Sequence, residues 1–113
     1  MGSLKWLTKE EEKAIEKFSS RLKKELGDRL VTIKLFGSKS RGDFDRDSDI
    51  DIFIVVRNDR FLIKKRILEI LDEIDPYFEL KISPVIYSEY EYKVNKEMRS
   101  TLAEIVQKEG IGL

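Results

Sequence analysis

The run Leu35-Phe36-Gly37-Ser38-Lys39-Ser40-Arg41-Gly42-Asp43, with Asp47-Ser48-Asp49-Ile50-Asp51-Ile52 shortly after it, decides how the chain is read. Leu30 to Phe36 alternates, with Val31, Ile33 and Leu35 on one side and Thr32, Lys34 and Phe36 on the other, which is the period of a strand. Gly37-Ser38 closes that strand. Lys39 to Ser48 holds Gly42, Ser40, Ser48 and three aspartates, so it reads as a turn with one short helical turn at most. A second strand follows from Asp49 to Val56. In it Ile50, Ile52, Ile54 and Val56 face a core, while Asp49 and Asp51 project together with Cα atoms about 7 Å apart.

Two carboxylates at that spacing suit one or two hard cations bound through oxygen. They also suit the solvated face of a half-exposed sheet, and an isolated Asp-x-Asp does not decide between the two. A glycine directly after an apolar strand lets the backbone approach a phosphate closely, with the N–H groups and serine hydroxyl that follow as donors. If the two strands are neighbours, Gly37-Ser38 and the carboxylate pair come to one edge of the sheet. Arg41 stands in the same turn; its planar fork fits a phosphate, and equally a surface pair with Asp43, Asp45 or Asp47.

Around this centre the chain punctuates itself. Thr8-Lys9-Glu10-Glu11 has the form of a capping box, and Ala14, Ile15, Phe18 and Leu22 recur at helical spacing up to Gly27, predicting a helix over 9–26. After the second strand, Asn58 or Asp59 caps a helix whose Ile63, Ile67, Ile70, Leu71 and Ile74 form one stripe before Pro76. Phe78 to Tyr87 reads as a third strand, placed at a sheet edge because Pro84 lacks an N–H. Ser88 to Glu91 is a second capping box, and Met98, Leu102, Ile105 and Val106 support a last helix ending at Gly110.

Composition narrows the chemistry. There is no Cys and no His among 113 residues, which excludes a thiol nucleophile, an imidazole base and a nitrogen- or sulfur-ligated zinc site. Lys+Arg and Asp+Glu are 22 each, so a long nucleic acid is an unfavoured partner. The length suits one domain over 1–113, and the absence of a long apolar run predicts a cytoplasmic protein without membrane contact.

The quoted run, Gly-Ser, ten residues and then Asp-x-Asp, resembles the signature of the DNA polymerase β nucleotidyltransferase superfamily, especially its minimal members. The resemblance is dense from Leu35 to Val56 and the element order extends it along most of the chain. It implies an α+β fold: a small three-stranded mixed sheet in the order 1-2-3 flanked by about four helices. It implies that Gly37, Ser38, Arg41 and Ser48 bind the nucleotide, that Asp49 and Asp51 are catalytic and hold Mg²⁺, and that ATP is the nucleotide. Active members carry a third carboxylate on a following strand, where this chain has Glu79-Leu80-Lys81-Ile82-Ser83. Lys81 stands where that aspartate is expected. Glu79 is the candidate to replace it, or is a solvated glutamate on an edge strand. Minimal members are frequently paired with a small helical HEPN protein as antitoxins that transfer AMP to it, and the size and motif of this chain resemble those antitoxins; the alternative is silencing of that partner by complex formation alone.

Overall fold

The computed structural model describes residues 6–42, 48–57 and 60–113, with the side chains of Ser38, Arg41 and Arg60 excepted. Helix α1 (Lys9–Leu26) begins at the capping box: Glu11 donates its N–H to Thr8 Oγ1 at 3.1 Å, and Thr8 returns its own N–H to Glu11 Oε1 at 2.8 Å. Three glutamates in its first turn oppose the positive helix end. Gly27, at φ 54, turns the chain out of α1 into a short 3₁₀ turn. Strand β1 (Leu30–Phe36), the single-turn helix α2 (Ser38–Arg41), strand β2 (Ile50–Val56) and helix α3 (Arg60–Ile74) follow. Strand β3 (Ile82–Ser88), helices α4 (Glu89–Glu97) and α5 (Thr101–Glu109), and strand β4 (Ile111–Gly112) complete the order. The proposed α3 caps, Asn58 and Asp59, lie outside the described residues.

The sheet runs β3-β2-β1-β4, with β1 antiparallel to both β2 and β4 and β3 parallel to β2. The expected order 1-2-3 is present, but the expected three strands become four. After α5 ends at Gly110, Ile111 and Gly112 lie along the edge of β1 opposite Leu35 and Lys34, and Leu113 donates its N–H to the Ile33 carbonyl at 3.0 Å. Two paired residues are too few to show a period. Four helices of nine or more residues, plus the single turn α2, meet the expectation of about four.

Two further expectations change. Strand β3 begins at Ile82 rather than Phe78, because Phe78 and Lys81 adopt positive φ (53 and 54) and the Asp75 carboxylate captures the N–H groups of Glu79 and Leu80 at 3.0 and 3.1 Å. Met98 is exposed rather than part of the last helix, which starts at Thr101 under a Ser100 cap. Val31 also leaves its expected face: the pairing slips between Leu30 and Thr32, and the bulge turns Val31 to solvent. Pro84 does lie on the edge strand.

Both faces of the sheet are covered. Ile50, Ile52, Ile54 and Val56 pack with Ile15, Phe18 and Leu22 of α1 and Ile63, Ile67 and Ile70 of α3. Phe53 and Val55 point the other way, into a second cluster with Phe36 and Val106. Phe53 there meets Phe36, Tyr87 and Tyr92 edge-on, at ring-centre distances of 6.3, 5.5 and 5.0 Å. Tyr87 and Tyr92 therefore serve packing, and Tyr90 is exposed. Helices α1 and α3 are also tied by Arg66, which grips both oxygens of Glu25 at 2.6 and 2.7 Å, and by Arg21, 2.9 Å from Glu73. Among the described residues no helix is long and apolar enough to cross a membrane.

Candidate active site

The pairing of β1 with β2 brings the signature together. Phe36 lies opposite Asp51, so Gly37, the next residue, meets the Asp51 side chain. A Cβ on Gly37 would collide with Asp51 Oδ2 and stand 3.3 Å from Asp51 Cγ, while the backbone at φ 80 already favours glycine. The turn after it is braced from within: the Ser40 N–H and hydroxyl both donate to the Gly37 carbonyl, at 3.0 and 2.7 Å. At its end Gly42, at φ 89, has the Trp6 indole laid against it; a Cβ there would come within 2.8 Å of Cδ2 and Cζ2. Lys39 is buried in this turn, its Nζ 3.3 Å from Glu11 Oε2.

Asp49 is exposed just before β2, and Asp51 is half-buried within it, on the face that Phe53 and Val55 continue under α4 and α5. Ser48 is half-buried beside them, and both Ser48 and Asp51 are engaged with neighbours. The parallel strand β3 supplies the other wall. Ser83 stands in register with Asp51, and the Lys81 carbonyl accepts the Ile50 N–H at 2.9 Å, which puts Lys81 at the mouth of the two strands. The expectation that Glu79 lies on the third strand is corrected. Glu79 lies in the preceding loop, exposed, with its N–H held by Asp75.

The structure thus joins Gly37, Asp51 and Asp49 at one sheet edge, with the backbone of Ser38 and Arg41 in α2 beside them. The side chains of Ser38 and Arg41, and the suggested Arg41 partners Asp43, Asp45 and Asp47, lie outside the described residues. Ser83, Lys39 and Trp6 were not singled out by pattern; strand register and helix-to-turn contacts place them, and neither leaves a local signal. Among the described residues no three or more carboxylates are grouped so that they could hold a metal ion. The Asp-x-Asp pair brings two carboxylates, Asp49 and Asp51, to this end of β2. That fits Mg²⁺, which takes one or two protein carboxylates and fills its octahedron with substrate phosphates and water.

Residues 13–111 match the nucleotidyltransferase domain family. The chain belongs to that family. Two Methanocaldococcus jannaschii proteins, each named "putative protein adenylyltransferase", are similar to it. One is 36% identical over 74 residues, covering 65% of this chain and 75% of its own; the other is 53% identical over 45 residues, covering 40% and 45%. A crystal structure named "putative nucleotidyltransferase" from Sulfolobus solfataricus aligns over 94% of this chain and 87% of its own, with a TM-score of 0.46 at 17% identity. Membership makes this a nucleotidyltransferase chain, and nucleotidyl transfer the chemistry of its family.

Proposed function

We propose that this nucleotidyltransferase moves AMP from ATP to a macromolecular acceptor, with Mg²⁺ as cofactor. One observation carries the reading: the glycine that opens a phosphate-binding turn packs directly on a carboxylate of the Asp-x-Asp pair. Turn and carboxylates would then hold neighbouring parts of one triphosphate. The backbone N–H groups after Gly37, with Ser38, take the β- and γ-phosphates; Arg41 and Ser48 add to the nucleotide contacts; Asp49 and Asp51 hold the cation. When bound, Mg²⁺ neutralises phosphate charge and stabilises the entering and leaving oxygens. An acceptor hydroxyl oxygen bonds to the α-phosphorus, the bond from that phosphorus to the β-bridging oxygen breaks, pyrophosphate leaves, and the hydroxyl proton passes to solvent. The side chains contribute mainly position and charge.

The names of the two archaeal relatives support a protein acceptor and an adenylyl group. We assign the acceptor to a small helical HEPN toxin, with this chain as its antitoxin, on the resemblance in size and motif. A second reading is favoured by Lys81 at the mouth of β2 and β3, where an ammonium cannot ligate a cation, and by the loop position of Glu79. In it the chain binds nucleotide and neutralises its partner by complex formation. ATP labelled at the α-phosphate, with Mg²⁺ and an extract of the source cells, separates the two. Label on a macromolecule with the unmodified protein and none with Asp51→Asn is the result expected of transfer. ATP binding without label, in the presence of a known acceptor, would refute transfer and leave the second reading.

A further inference from the structure

The signature turn is gripped from outside by a segment to which nucleotidyl transfer assigns no role. Lys39 is 3% exposed, and its Nζ lies 3.3 Å from Glu11 Oε2 in an ion pair whose carboxylate side chain is itself only 14% exposed. The other oxygen of Glu11 accepts the Thr8 N–H and closes the α1 capping box. One carboxylate therefore joins the start of α1 to the middle of α2. Just upstream, Leu7 is buried and Trp6 lies across Gly42, where no side chain would fit. Between them, Trp6 and Glu11 hold the turn at its end and at its centre.

A buried ammonium is tolerated only where a carboxylate and further hydrogen bonds replace its lost hydration. Its position is accordingly narrow, unlike that of the exposed pairs between α1 and α3, which have room to rearrange. Gly37 and Ser40 brace the turn internally, but those bonds do not set its angle to the sheet. Glu11 on Lys39 reaches the turn from another element, as Trp6 does on Gly42.

We infer that Glu11 and Lys39 are positioning residues: their buried ion pair orients the 38–41 turn so that its N–H groups meet the triphosphate, and Trp6 senses that orientation. The inference rests on the nucleotide-binding reading above. Glu11→Gln is a clean probe, since a glutamine oxygen still accepts the Thr8 N–H and keeps the cap while the ion pair is lost. Lys39→Met removes the charge and keeps an unbranched side chain; Lys39→Arg keeps the charge.

Mg²⁺-ATP is titrated calorimetrically into the unmodified protein and the three variants, well below each melting temperature, with tryptophan emission followed on the same samples. Trp6 is the only tryptophan in the chain, so its signal is unambiguous. Glu11→Gln and Lys39→Met are expected to weaken binding about ten-fold, as small misplacements of a binding group do, while Lys39→Arg stays within about three-fold. Saturation should change Trp6 emission in the unmodified protein. Affinity unchanged in folded Glu11→Gln and Lys39→Met, or lost equally in Lys39→Arg, would overturn the inference. So would an unmodified protein that binds Mg²⁺-ATP with no change in Trp6 emission, a result that needs no variant to fold. An unmodified protein that binds no Mg²⁺-ATP would instead overturn the nucleotide reading itself.

Discussion

Replacing Gly37 by alanine tests the site at the atom where its two halves meet. The backbone there has φ 80, and a non-glycine residue in a left-handed conformation costs about 1–2 kcal/mol. The new methyl would also occupy the place of Asp51 Oδ2, so the carboxylate must move; overpacking of this kind adds about 1–2 kcal/mol. Together they come to about 2–4 kcal/mol, or a fall in Tm of about 10–20 °C for a domain of this size. Gly27 separates the two contributions. At φ 54 and ψ −128, with nothing within 4 Å of where a Cβ would stand, Gly27→Ala should show a backbone cost without a clash, about 1–3 kcal/mol. Melts of both variants, with and without Mg²⁺-ATP, are the assay. Nucleotide should stabilise Gly27→Ala as it does the unmodified protein, and should fail to stabilise Gly37→Ala. Equal melting temperatures for the two variants, with equal stabilisation by nucleotide, would refute the argument that Gly37 is needed for its contact with Asp51.

Other consequences are open to measurement. Phe53→Ala empties the centre of a four-ring cluster from a fully buried position and should cost about 3–5 kcal/mol in denaturant unfolding. The Glu25 carboxyl is held below its ordinary value, first by the hydrogen bond from Arg66 and then by Arg21. Its contribution is therefore complete above about pH 4.5 and is lost as pH falls through the lowered folded value. Melts between pH 6 and 3 should show a shallower acid decline for Glu25→Gln than for the unmodified protein, by a small margin because the pair is solvated. Lys81→Asp puts a third carboxylate at the mouth of β2 and β3, and should strengthen Mg²⁺ binding and raise labelling by about ten-fold; no change in either would show that position 81 does not face the cation.

Where a structural feature is local, the chain announced it. Both capping boxes, Thr8 with Glu11 and Ser88 with Glu91, form as their spacing predicts, and the α3 stripe from Ile63 to Ile74 is buried or packed on the core. Gly37 and Asp51 were both visible as residues of interest for the same reason: a glycine after a strand and a carboxylate on one are local signals. What was not legible depends on distant partners. Phe78, Leu80 and Ile82 alternate like a strand, but Asp75 draws off two N–H groups that a strand would need. Strand β4 exists because β1 has an open edge. The slip at Val31 and the register of Ser83 with Asp51 belong to pairs of strands, and no single strand encodes them.

The topology explains why the polar residues gather at this end. β1 arrives there while β2 and β3 depart in parallel, so one sheet edge receives the C-terminal end of one strand and the N-terminal ends of two. Residues just outside the ladders are released from strand geometry, and it is there that Gly37 and Lys81 take positive φ. Asp51 differs from them. It is the second residue of β2, one residue from Ile50 and Ile52 and two from Phe53, all fully buried, so its backbone is fixed by both cores while its side chain reaches the edge. Asp49, exposed and one residue before the strand, has no such anchorage. A cation held between them would therefore meet one rigid ligand and one adjustable one. The rigid ligand is the one that packs on Gly37, so under the proposed function the Gly37–Asp51 contact would be the fixed point from which triphosphate and cation are both positioned.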